Sequence, residues 1–546
     1  MASKRHDYII IGGGSSGCVA ASRFVSEHGA RVLLMEAGPR RTSPILALPA
    51  GYMKFLARDT YLTMHRMIPQ PQLAGRAPIV PQAKVLGGGS AINAMVYIRG
   101  QAADYDHWDD LLGGAGWSYR DLLPHFVKQE DNDHLAGPYH GVGGPLKVSH
   151  LGQHCRTSRA FVQALQERGI AYNPDFNGHR QAGAGFMQHT IDPAARRRCS
   201  AVDAFLRPVL SDSRLTVETG TTAMRIRIEH GQAVGVDFTS PGGAGTAYAD
   251  TEVILAAGTY ASPTILMLSG LGPAQELARL GVRVEADLPG VGRNLQDHHE
   301  VPVVAGTTGA FGYFGQDRGL AMLAHGLQYV MFRSGAVTTT GVEACAFIDP
   351  DGGERPTLQL YCVPTIYLDR DVSGVEPTHG VTLNPCLLRP KARGSVRPAS
   401  ADPLAPPQVD AQFFGHPDDL RLTIAGLRYA REVLATSPLK DLVDRELFPG
   451  ADTVSDEDLA AHCRRTVKTN YHPVGTCRMG RDGDPDAVVT ADLKVRGVEG
   501  LRVIDASIMP TIPSGNTNAP VLAIADKAVE IIMRGERARA APAPVG

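Results

Sequence analysis

The feature that most constrains the fold lies between Asp7 and Gly38, where a glycine turn separates two apolar runs. The segment reads DYIII, GGGSSG, CVAASRFVSEHGA and RVLLMEAG, which predicts a strand, a turn, a helix and a second strand. Both strands are nearly continuous apolar runs, as expected for parallel strands covered on both faces. The pattern therefore predicts a βαβ unit within an open parallel sheet of the α/β class.

The glycines of this turn have the spacing Gly12-x-Gly14-x-x-Gly17. The first glycine allows a tight turn, the second lets the backbone approach a pyrophosphate, and the third lets helix and strand pack closely. Ser15 and Ser16 open the helix, whose N-terminus is a site for the anion. The spacing and its context predict a Rossmann-type dinucleotide site.

An acidic residue follows at the end of the second strand, where Glu36 precedes Ala37. A carboxylate about 20 residues beyond the glycine turn accepts hydrogen bonds from ribose hydroxyls and disfavours a 2′-phosphate. These residues are predicted cofactor contacts. They do not distinguish NAD from FAD.

Length and composition narrow the class of protein. A chain of 546 residues exceeds the size of one core, so two or more domains are expected. With 43% hydrophobic residues, 20% charged residues and a net charge of -2, the composition indicates neither nucleic-acid nor membrane-surface binding. The sequence contains no run of 18 or more apolar residues, so no membrane-spanning helix is predicted. The richness in Ala, Gly, Pro and Arg is typical of a GC-rich bacterial genome.

The eight cysteines are scattered without a CxxC pair, so they are predicted to be reduced thiols and no zinc site is predicted. The basic start of the chain leads into an apolar stretch that is too short for a signal peptide. Both observations favour a cytoplasmic location.

Five further segments, AKVLGGGSAINAMVY (83–97), GTYASPTILMLSGLG (258–272), PGVGRNLQDH (289–298), YHPVGTCRMG (471–480) and LRVIDASIMP (501–510), follow one another along the chain. In sequence and in order they resemble the conserved blocks of the glucose-methanol-choline (GMC) FAD-dependent oxidoreductases. The resemblance extends from Asp7 to about Gly535.

The resemblance implies a Rossmann-type FAD-binding domain and an α+β substrate-binding domain with an antiparallel sheet. We expect the FAD-binding domain over 1–300, with loop insertions from about 97–200, and the substrate-binding domain over 301–465. A returning segment, 466–536, completes the FAD domain and the active site, and 537–546 is predicted to be a disordered tail.

The resemblance also predicts which residues contact FAD. Ile92 stands where some relatives carry a histidine bonded to the flavin, so the FAD is expected to be non-covalent. Besides the residues of the βαβ unit, the predicted contacts are Val85, Gly88, Ser90, Asn93, Ala94, Met95, Val96, Ala223, Ala257, Asp505, Ala506, Asn516 and Thr517.

His472 and Asn516 are the predicted catalytic residues, because the resemblance places them together at the reactive edge of the flavin. A histidine titrates near neutrality and can take the hydroxyl proton of an alcohol while hydride passes to flavin N5. An asparagine amide can orient the substrate oxygen. Asn518 is expected to contact the flavin or to hold the loop.

The predicted substrate is a primary alcohol, aromatic or medium-sized and apolar, oxidised to an aldehyde. Oxygen or a quinone-type compound is the expected electron acceptor. Two alternatives stay open: a choline-type alcohol dehydrogenase, which the segment TYLTMHRMIPQP disfavours, and a hydroxynitrile lyase that keeps FAD without redox use. The aromatic residues expected around the substrate are Phe311, Tyr313, Phe314, Tyr361, Tyr367 and Tyr471.

Two polar clusters receive structural interpretations. The adjacent residues His298, His299 and Glu300 point in different directions, so no metal site is predicted and His298 is interpreted as structural. The run Arg196-Arg197-Arg198 is interpreted as a solvated loop in preference to an anion-binding patch.

Overall fold

The computed structural model describes residues 5–40, 43–56, 59–368, 372 and 374–540. No helix in these ranges combines the length and apolarity needed to cross a bilayer. The α-helices within them are α1 (Ser15–His28), α2 (Met53–Leu56), α3 (Gly89–Ile92), α4 (Ala102–Leu111), α5 (Tyr119–Gln129), α6 (Arg156–Glu167), α7 (Ala261–Leu268), α8 (Ala274–Arg279), α9 (Gly319–Phe332), α10 (Pro417–Leu434), α11 (Asp456–Thr466) and α12 (Asn518–Ala540).

Two large sheets dominate the structure. Their strands are β1 (Arg5–Ile11), β2 (Val32–Glu36), β3 (Gly183–Phe186), β4 (Leu215–Thr219), β5 (Thr222–Glu229), β6 (Gln232–Ser240), β7 (Gly243–Leu255), β8 (His299–Glu300), β9 (Val303–Thr307), β10 (Ala344–Ile348), β11 (Leu358–Val363), β12 (Gly380–Leu387), β13 (Val443–Phe448), β14 (Lys468–Thr469) and β15 (Leu501–Val503).

Short strands form small ribbons around these sheets. They are Leu62–Arg66 with Ile79–Ala83; Glu130–Asn132, Leu146–His150 and Gln188–His189; Ile191–Asp192 with Arg197–Arg198; Leu271–Gly272 with Ala286–Asp287; and Arg293–Leu295, Gly394–Arg397 and Gln408–Asp410.

The first sheet has the strand order β4-β2-β1-β7-β6-β5, and β15 also pairs with β7. Strands β4, β2, β1, β7 and β15 are parallel, whereas β5, β6 and β7 are joined as antiparallel neighbours. Helix α1 packs between this sheet and α12. A Cβ atom on Gly17 would lie 1.9 Å from the Gly12 carbonyl oxygen, which explains the third glycine of the motif. The predicted Rossmann-type α/β domain is confirmed.

The second sheet is antiparallel, with the order β13-β9-β12-β11-β10-β3, and β8 pairs with both β12 and β14. Strands β11 and β12 are buried along their whole length, with α10 packed on β12. The predicted antiparallel sheet is therefore present. It takes β3, β8 and β14 from outside 301–465, because the chain crosses between the two sheets several times.

The C-terminal helix α12 extends to Ala540, beyond the predicted start of a disordered tail at 537. Residues 541–546 of that tail lie outside the described residues.

Candidate active site

A cavity of about 1390 Å³ lies between the two sheets. On one side it is bounded by the residues that follow the carboxyl ends of β1, β2, β7 and β15, which is where open α/β sheets bind ligands. On the other side it is bounded by side chains of β11, by Glu300 of β8 and by the loop after β14. The cavity therefore has a cofactor half and a substrate half.

The cofactor half is formed by two glycine loops. A Cβ atom on Gly14 would have no neighbour closer than 4.0 Å, so the space in front of this residue is open. A Cβ atom on Gly88 would lie 2.8 Å from Gly14 Cα, and Gly88 adopts a φ of +51°, which favours glycine. The Gly87 amide donates to the Gly13 carbonyl at 2.7 Å and holds the loops together. Bare backbone thus faces a cleft that suits a dinucleotide.

Glu36, the predicted ribose contact, lies at the edge of this cleft. Its Oε2 accepts a hydrogen bond from the Gly13 amide at 2.9 Å and its Oε1 accepts from the Gly38 amide at 2.6 Å. Burial raises the pKa of the Glu36 carboxyl, and both amide contacts oppose that rise. Each carboxylate oxygen has a second lone pair, so the group can also accept from ribose hydroxyls.

A buried arginine holds the second glycine loop. Arg198 Nη1 donates to Asn93 Oδ1 at 2.7 Å and to the Ser90 carbonyl at 3.0 Å, while Nη2 donates to the Asn93 carbonyl at 2.7 Å. Arg198 is only 3% exposed, so its interpretation as part of a solvated loop was wrong. The guanidinium therefore satisfies carbonyl groups at the C-terminal end of the short helix α3.

Most predicted cofactor contacts line the cavity. Three of them, Gly17, Val85 and Ser90, lie behind the lining. Gly17 packs against Gly12 and Leu34, Val85 belongs to an apolar cluster, and the Ser90 hydroxyl donates to the Gly87 carbonyl. The residues in the lining are Gly12, Gly14, Ser15, Ser16, Glu36, Ala37, Gly88, Asn93, Ala94, Met95, Val96, Ala223, Ala257, Asp505, Ala506, Asn516 and Thr517, together with Ile92 and Asn518.

Asp505 also anchors this half of the cavity. Its Oδ2 accepts from the Gly258 amide at 2.8 Å and from the Ser262 hydroxyl at 2.6 Å, and its Oδ1 accepts from the Ser507 amide at 2.9 Å. The carboxylate thereby ties the loop after β7 to the loop after β15.

His472 and Asn516 meet in the substrate half, although 44 residues separate them. Asn516 Nδ2 lies 3.1 Å from His472 Nε2, and His472 Nδ1 lies 3.0 Å from His298 Nδ1. His298 Nε2 lies 2.9 Å from the Leu388 carbonyl. The four groups form one chain of hydrogen bonds.

The hydrogen-bond partners show which ring nitrogen of each histidine carries a proton. The Leu388 carbonyl can only accept, so His298 carries its proton on Nε2 and its Nδ1 accepts from His472 Nδ1–H. His472 Nε2 is then unprotonated and accepts from the Asn516 amide. Burial, together with the neighbouring His298, lowers the pKa of His472 well below its usual value, and burial lowers the pKa of His298 to about 4. His472 is therefore a neutral imidazole with a basic nitrogen at the cavity.

The backbone around His472 is held by Asp297. Asp297 Oδ1 accepts from the His472 amide at 2.9 Å, and Oδ2 accepts from the Thr469 hydroxyl at 2.5 Å. Tyr471 precedes His472 and has a φ of +64°. Its amide donates to Thr469 Oγ1 at 2.7 Å. Burial raises the pKa of Asp297 to about 7. The loop is thus fixed by a carboxyl group without solvent access.

Aromatic side chains line the remainder of the substrate half. The Tyr361 hydroxyl lies 3.2 Å from Asn516 Oδ1, so it contacts the predicted catalytic pair through Asn516. Phe311 lies outside the lining, because its ring packs under the Arg156 guanidinium at 4.6 Å. The other predicted aromatic residues, Tyr313, Phe314, Tyr367 and Tyr471, line the cavity together with Tyr361.

The sequence reasoning missed a buried ion pair beside these rings. Lys468 Nζ lies 2.6 Å from Glu300 Oε1, and both residues are almost completely buried. The same Nζ lies 4.4 Å from the centre of the Tyr367 ring and 5.8 Å from that of Tyr471. Glu300 lines the cavity. No spacing in the sequence links Glu300 to Lys468, since they meet only through the pairing of β8 with β14.

Comparison with known families identifies this arrangement. The N-terminal and C-terminal profiles described as GMC oxidoreductase match residues 6–300 and 390–525. The chain belongs to the GMC oxidoreductase family. The N-terminal profile covers the Rossmann-type domain described above, which is the FAD-binding domain of the family.

Relatives match the chain over nearly its whole length. Alcohol dehydrogenase [acceptor] from Pseudomonas putida is 38% identical, over 97% of this chain and 96% of its own. Oxygen-dependent choline dehydrogenase from Photobacterium profundum is 36% identical, over 97% of this chain and 93% of its own. Among solved structures, pyridoxine 4-oxidase from Mesorbium loti superposes with a TM-score of 0.88 at 30% identity, covering 97% and 99% of the two chains. The chain is a GMC-type, FAD-dependent oxidoreductase, and its relatives include an alcohol dehydrogenase and a choline dehydrogenase.

Proposed function

We propose that this GMC oxidoreductase oxidises an uncharged primary alcohol to an aldehyde, with His472 Nε2 as the base. The single observation that carries the proposal is the hydrogen-bond chain from the Leu388 carbonyl through His298 to His472, which leaves Nε2 unprotonated at the cavity. A base in this state is ready to accept a hydroxyl proton at neutral pH.

When bound, FAD supplies the acceptor for the hydride that leaves the alcohol carbon. The residues of the chain bind and orient the substrate. The substrate hydroxyl takes the place of the direct contact between Asn516 Nδ2 and His472 Nε2, donating to Nε2 and accepting from Nδ2. His472 then holds the proton at Nε2 while its Nδ1–H stays bonded to His298, which acts as a positioning residue. Tyr361 keeps the Asn516 amide in its orientation.

We further propose that FAD is held non-covalently. Ile92 lies in the cavity lining at the position from which a histidine bonds the flavin in some relatives, and its side chain has no nucleophilic atom. Acid precipitation of the purified protein should leave the yellow flavin in the supernatant. Flavin that stays with the precipitate would contradict this.

The cavity supports an uncharged substrate in two ways. Its aromatic and aliphatic walls suit an aromatic or medium-sized apolar alcohol. One structural relative is named for its action on pyridoxine, a ring-bearing primary alcohol. The carboxylate and the aromatic rings that could surround a quaternary ammonium group already surround Lys468 Nζ. Choline, suggested by other relatives, is the second candidate because Glu300 lines the cavity.

The decisive experiment is anaerobic mixing of the holoenzyme with aromatic alcohols, aliphatic alcohols and choline, while the flavin absorbance is recorded. Bleaching by an uncharged alcohol is expected, and the His472→Ala enzyme should bleach about 10² to 10⁴ times more slowly. His107→Ala, which alters an exposed histidine of α4, is the control.

Two outcomes would contradict the proposal. Flavin that stays yellow with every alcohol, combined with cleavage of a cyanohydrin, would identify a lyase. An unchanged bleaching rate in a His472→Ala enzyme that retains its FAD would remove the histidine from the chemistry. Admission of air after bleaching then distinguishes oxygen from a quinone-type acceptor by the rate at which the colour returns.

A further inference from the structure

Helix α9 presents an apolar face to the solvent. A surface helix normally turns its apolar stripe toward the core. In α9 the buried position is Tyr329, whereas the residues at i, i+3, i+7, i+10 and i+11 from Leu320 form an exposed stripe. Their exposed fractions are 84% for Leu320, 65% for Leu323, 60% for Leu327, 67% for Val330 and 61% for Met331. We call these five residues the outer stripe.

The outer stripe is too concentrated to be ordinary surface. No Asp, Glu, Lys or Arg occurs between Gly319 and Phe332, and Phe332 extends the stripe with 68% of its surface exposed. Contiguous exposed apolar patches of this kind mark interaction sites. A helix of 14 residues is about 21 Å long, too short to cross a hydrocarbon core of about 30 Å. The helix can only lie along a surface.

Basic residues flank the N-terminal end of α9. Arg318, immediately before the helix, has a side chain that is 73% exposed. Lys54, with a side chain that is 49% exposed, lies 3.5 Å from Asp317. Two cations and one carboxylate therefore stand beside the start of the outer stripe.

The C-terminal end of α9 is also basic. Arg333 is exposed directly after the helix, with its guanidinium 4.9 Å from the centre of the Tyr329 ring. The Tyr329 hydroxyl lies 3.4 Å from the Arg196 carbonyl, so the arginine run that the sequence singled out borders the same end. Arg197 is exposed there and pairs along the backbone with Asp192. Both ends of the stripe thus have a surplus of positive charge.

We propose that α9 docks on an anionic lipid surface, with the outer stripe inserted at the boundary between headgroups and acyl chains. The arginines at both ends of α9 would pair with the negatively charged lipid phosphates. An apolar stripe with flanking cations is typical of helices that lie in a membrane interface. A second copy of the chain fits less well. In a two-fold contact the antiparallel helices would bring Arg318 of one copy against Arg333 of the other, and like charges would meet at both ends.

Docking would bring the cavity to the lipid surface. The face of α9 away from the outer stripe contributes Met322, His325 and Gly326 to the cavity lining, and Arg318 also belongs to it. If the proposed function holds, an apolar alcohol or a quinone-type acceptor dissolved in the lipid would then enter the cavity directly from the membrane. The docking itself is independent of that function, and its test requires no turnover.

The test is flotation of the full-length holoenzyme with vesicles of phosphatidylcholine, and with vesicles that also contain about 30% phosphatidylglycerol. Binding to the anionic vesicles is expected, weakened by high salt. Val330→Glu should lower the bound fraction about tenfold, because a carboxylate would have to enter the interface. The matched control is Val454→Glu, since Val454 is 66% exposed and lies outside α9. Arg333→Glu should lower binding to anionic vesicles, whereas Arg283→Glu, at another exposed arginine, should not.

Three results would overturn the proposal: no flotation with anionic vesicles, equal losses in Val330→Glu and Val454→Glu, or a dimer in light scattering that Val330→Glu converts to monomers without any vesicle binding. Oxidation of a water-soluble alcohol in solution should be the same in Val330→Glu and in the parent protein, because Val330 lies outside the cavity lining. Loss of vesicle binding with full activity separates this proposal from the proposed function.

Discussion

The two halves of the cavity are constructed by different means. The cofactor half is mainly backbone. Gly12, Gly14 and Gly88 belong to continuous glycine motifs: Gly12 and Gly88 pack closely against neighbouring backbone, and Gly14 leaves open space in front of it. The substrate half is made of side chains from separate segments, such as His472 and Asn516, which meet only after both sheets have formed. A site formed by backbone is visible in glycine spacing, whereas a site formed by distant side chains depends on the tertiary fold.

The largest effect that follows from this difference concerns Gly14. Its Cβ position is free of contacts, so Gly14→Ala should fold and yet lose FAD affinity by about 100-fold, because the methyl group occupies the space of a pyrophosphate. The flavin-to-protein absorbance ratio measures the loss, and circular dichroism monitors the fold.

Gly12→Ala is the contrasting variant. Its Cβ would lie 2.3 Å from the Ala256 carbonyl oxygen, so this change should destabilise the protein itself. Full FAD content in a folded Gly14→Ala protein would show that the cofactor half is not the open backbone cleft described above.

What the sequence predicts follows the same division. The βαβ unit, its glycines and the antiparallel second sheet are visible in local patterns and in the family resemblance, and the structure contains them. The contact of His472 with Asn516 can be predicted only from the family resemblance, because 44 residues separate them. No local sequence pattern predicts the contact of His298 with His472.

The sequence does not predict the ion pair of Lys468 with Glu300, nor that the apolar face of α9 is exposed. The reasons are related. The pair depends on the register between two-residue strands, β8 and β14. The apolar composition of α9 is typical of a core helix, and only the packing of Tyr329 reveals which face is outside. Composition could therefore not indicate a lipid-binding surface.

An intermediate effect is expected at Lys468, where the substrate half carries its own cation. Lys468→Met leaves the Glu300 carboxylate and the Tyr367 ring without their ammonium group, so a quaternary ammonium should take its place. The ratio of kcat/KM for choline to that for 3,3-dimethylbutan-1-ol, its uncharged analogue, should rise about tenfold.

Removal of one partner of a buried ion pair destabilises a protein, so a second variant is needed. Lys468→Met combined with Glu300→Gln removes both charges and should show no gain for choline. A gain in the double variant, or none in a folded single variant, would mean that Lys468 does not set the charge preference of the cavity.

The smallest effect concerns Asp297, which supports His472 through the backbone. Its pKa in the folded protein is about 7, above the ordinary value of 3.8, so the folded state binds this proton more tightly than the unfolded state. The free energy of unfolding should therefore fall as pH rises from about 4 to 7 and change no further above 7. Asp297→Asn should remove this slope, and the melting temperature of the variant relative to the parent should increase by a few degrees across that range. A constant difference between the two proteins from pH 4 to 8 would mean that the carboxyl is ionised throughout, and the substrate half would then contain a buried charge that supports the His472 loop at every pH.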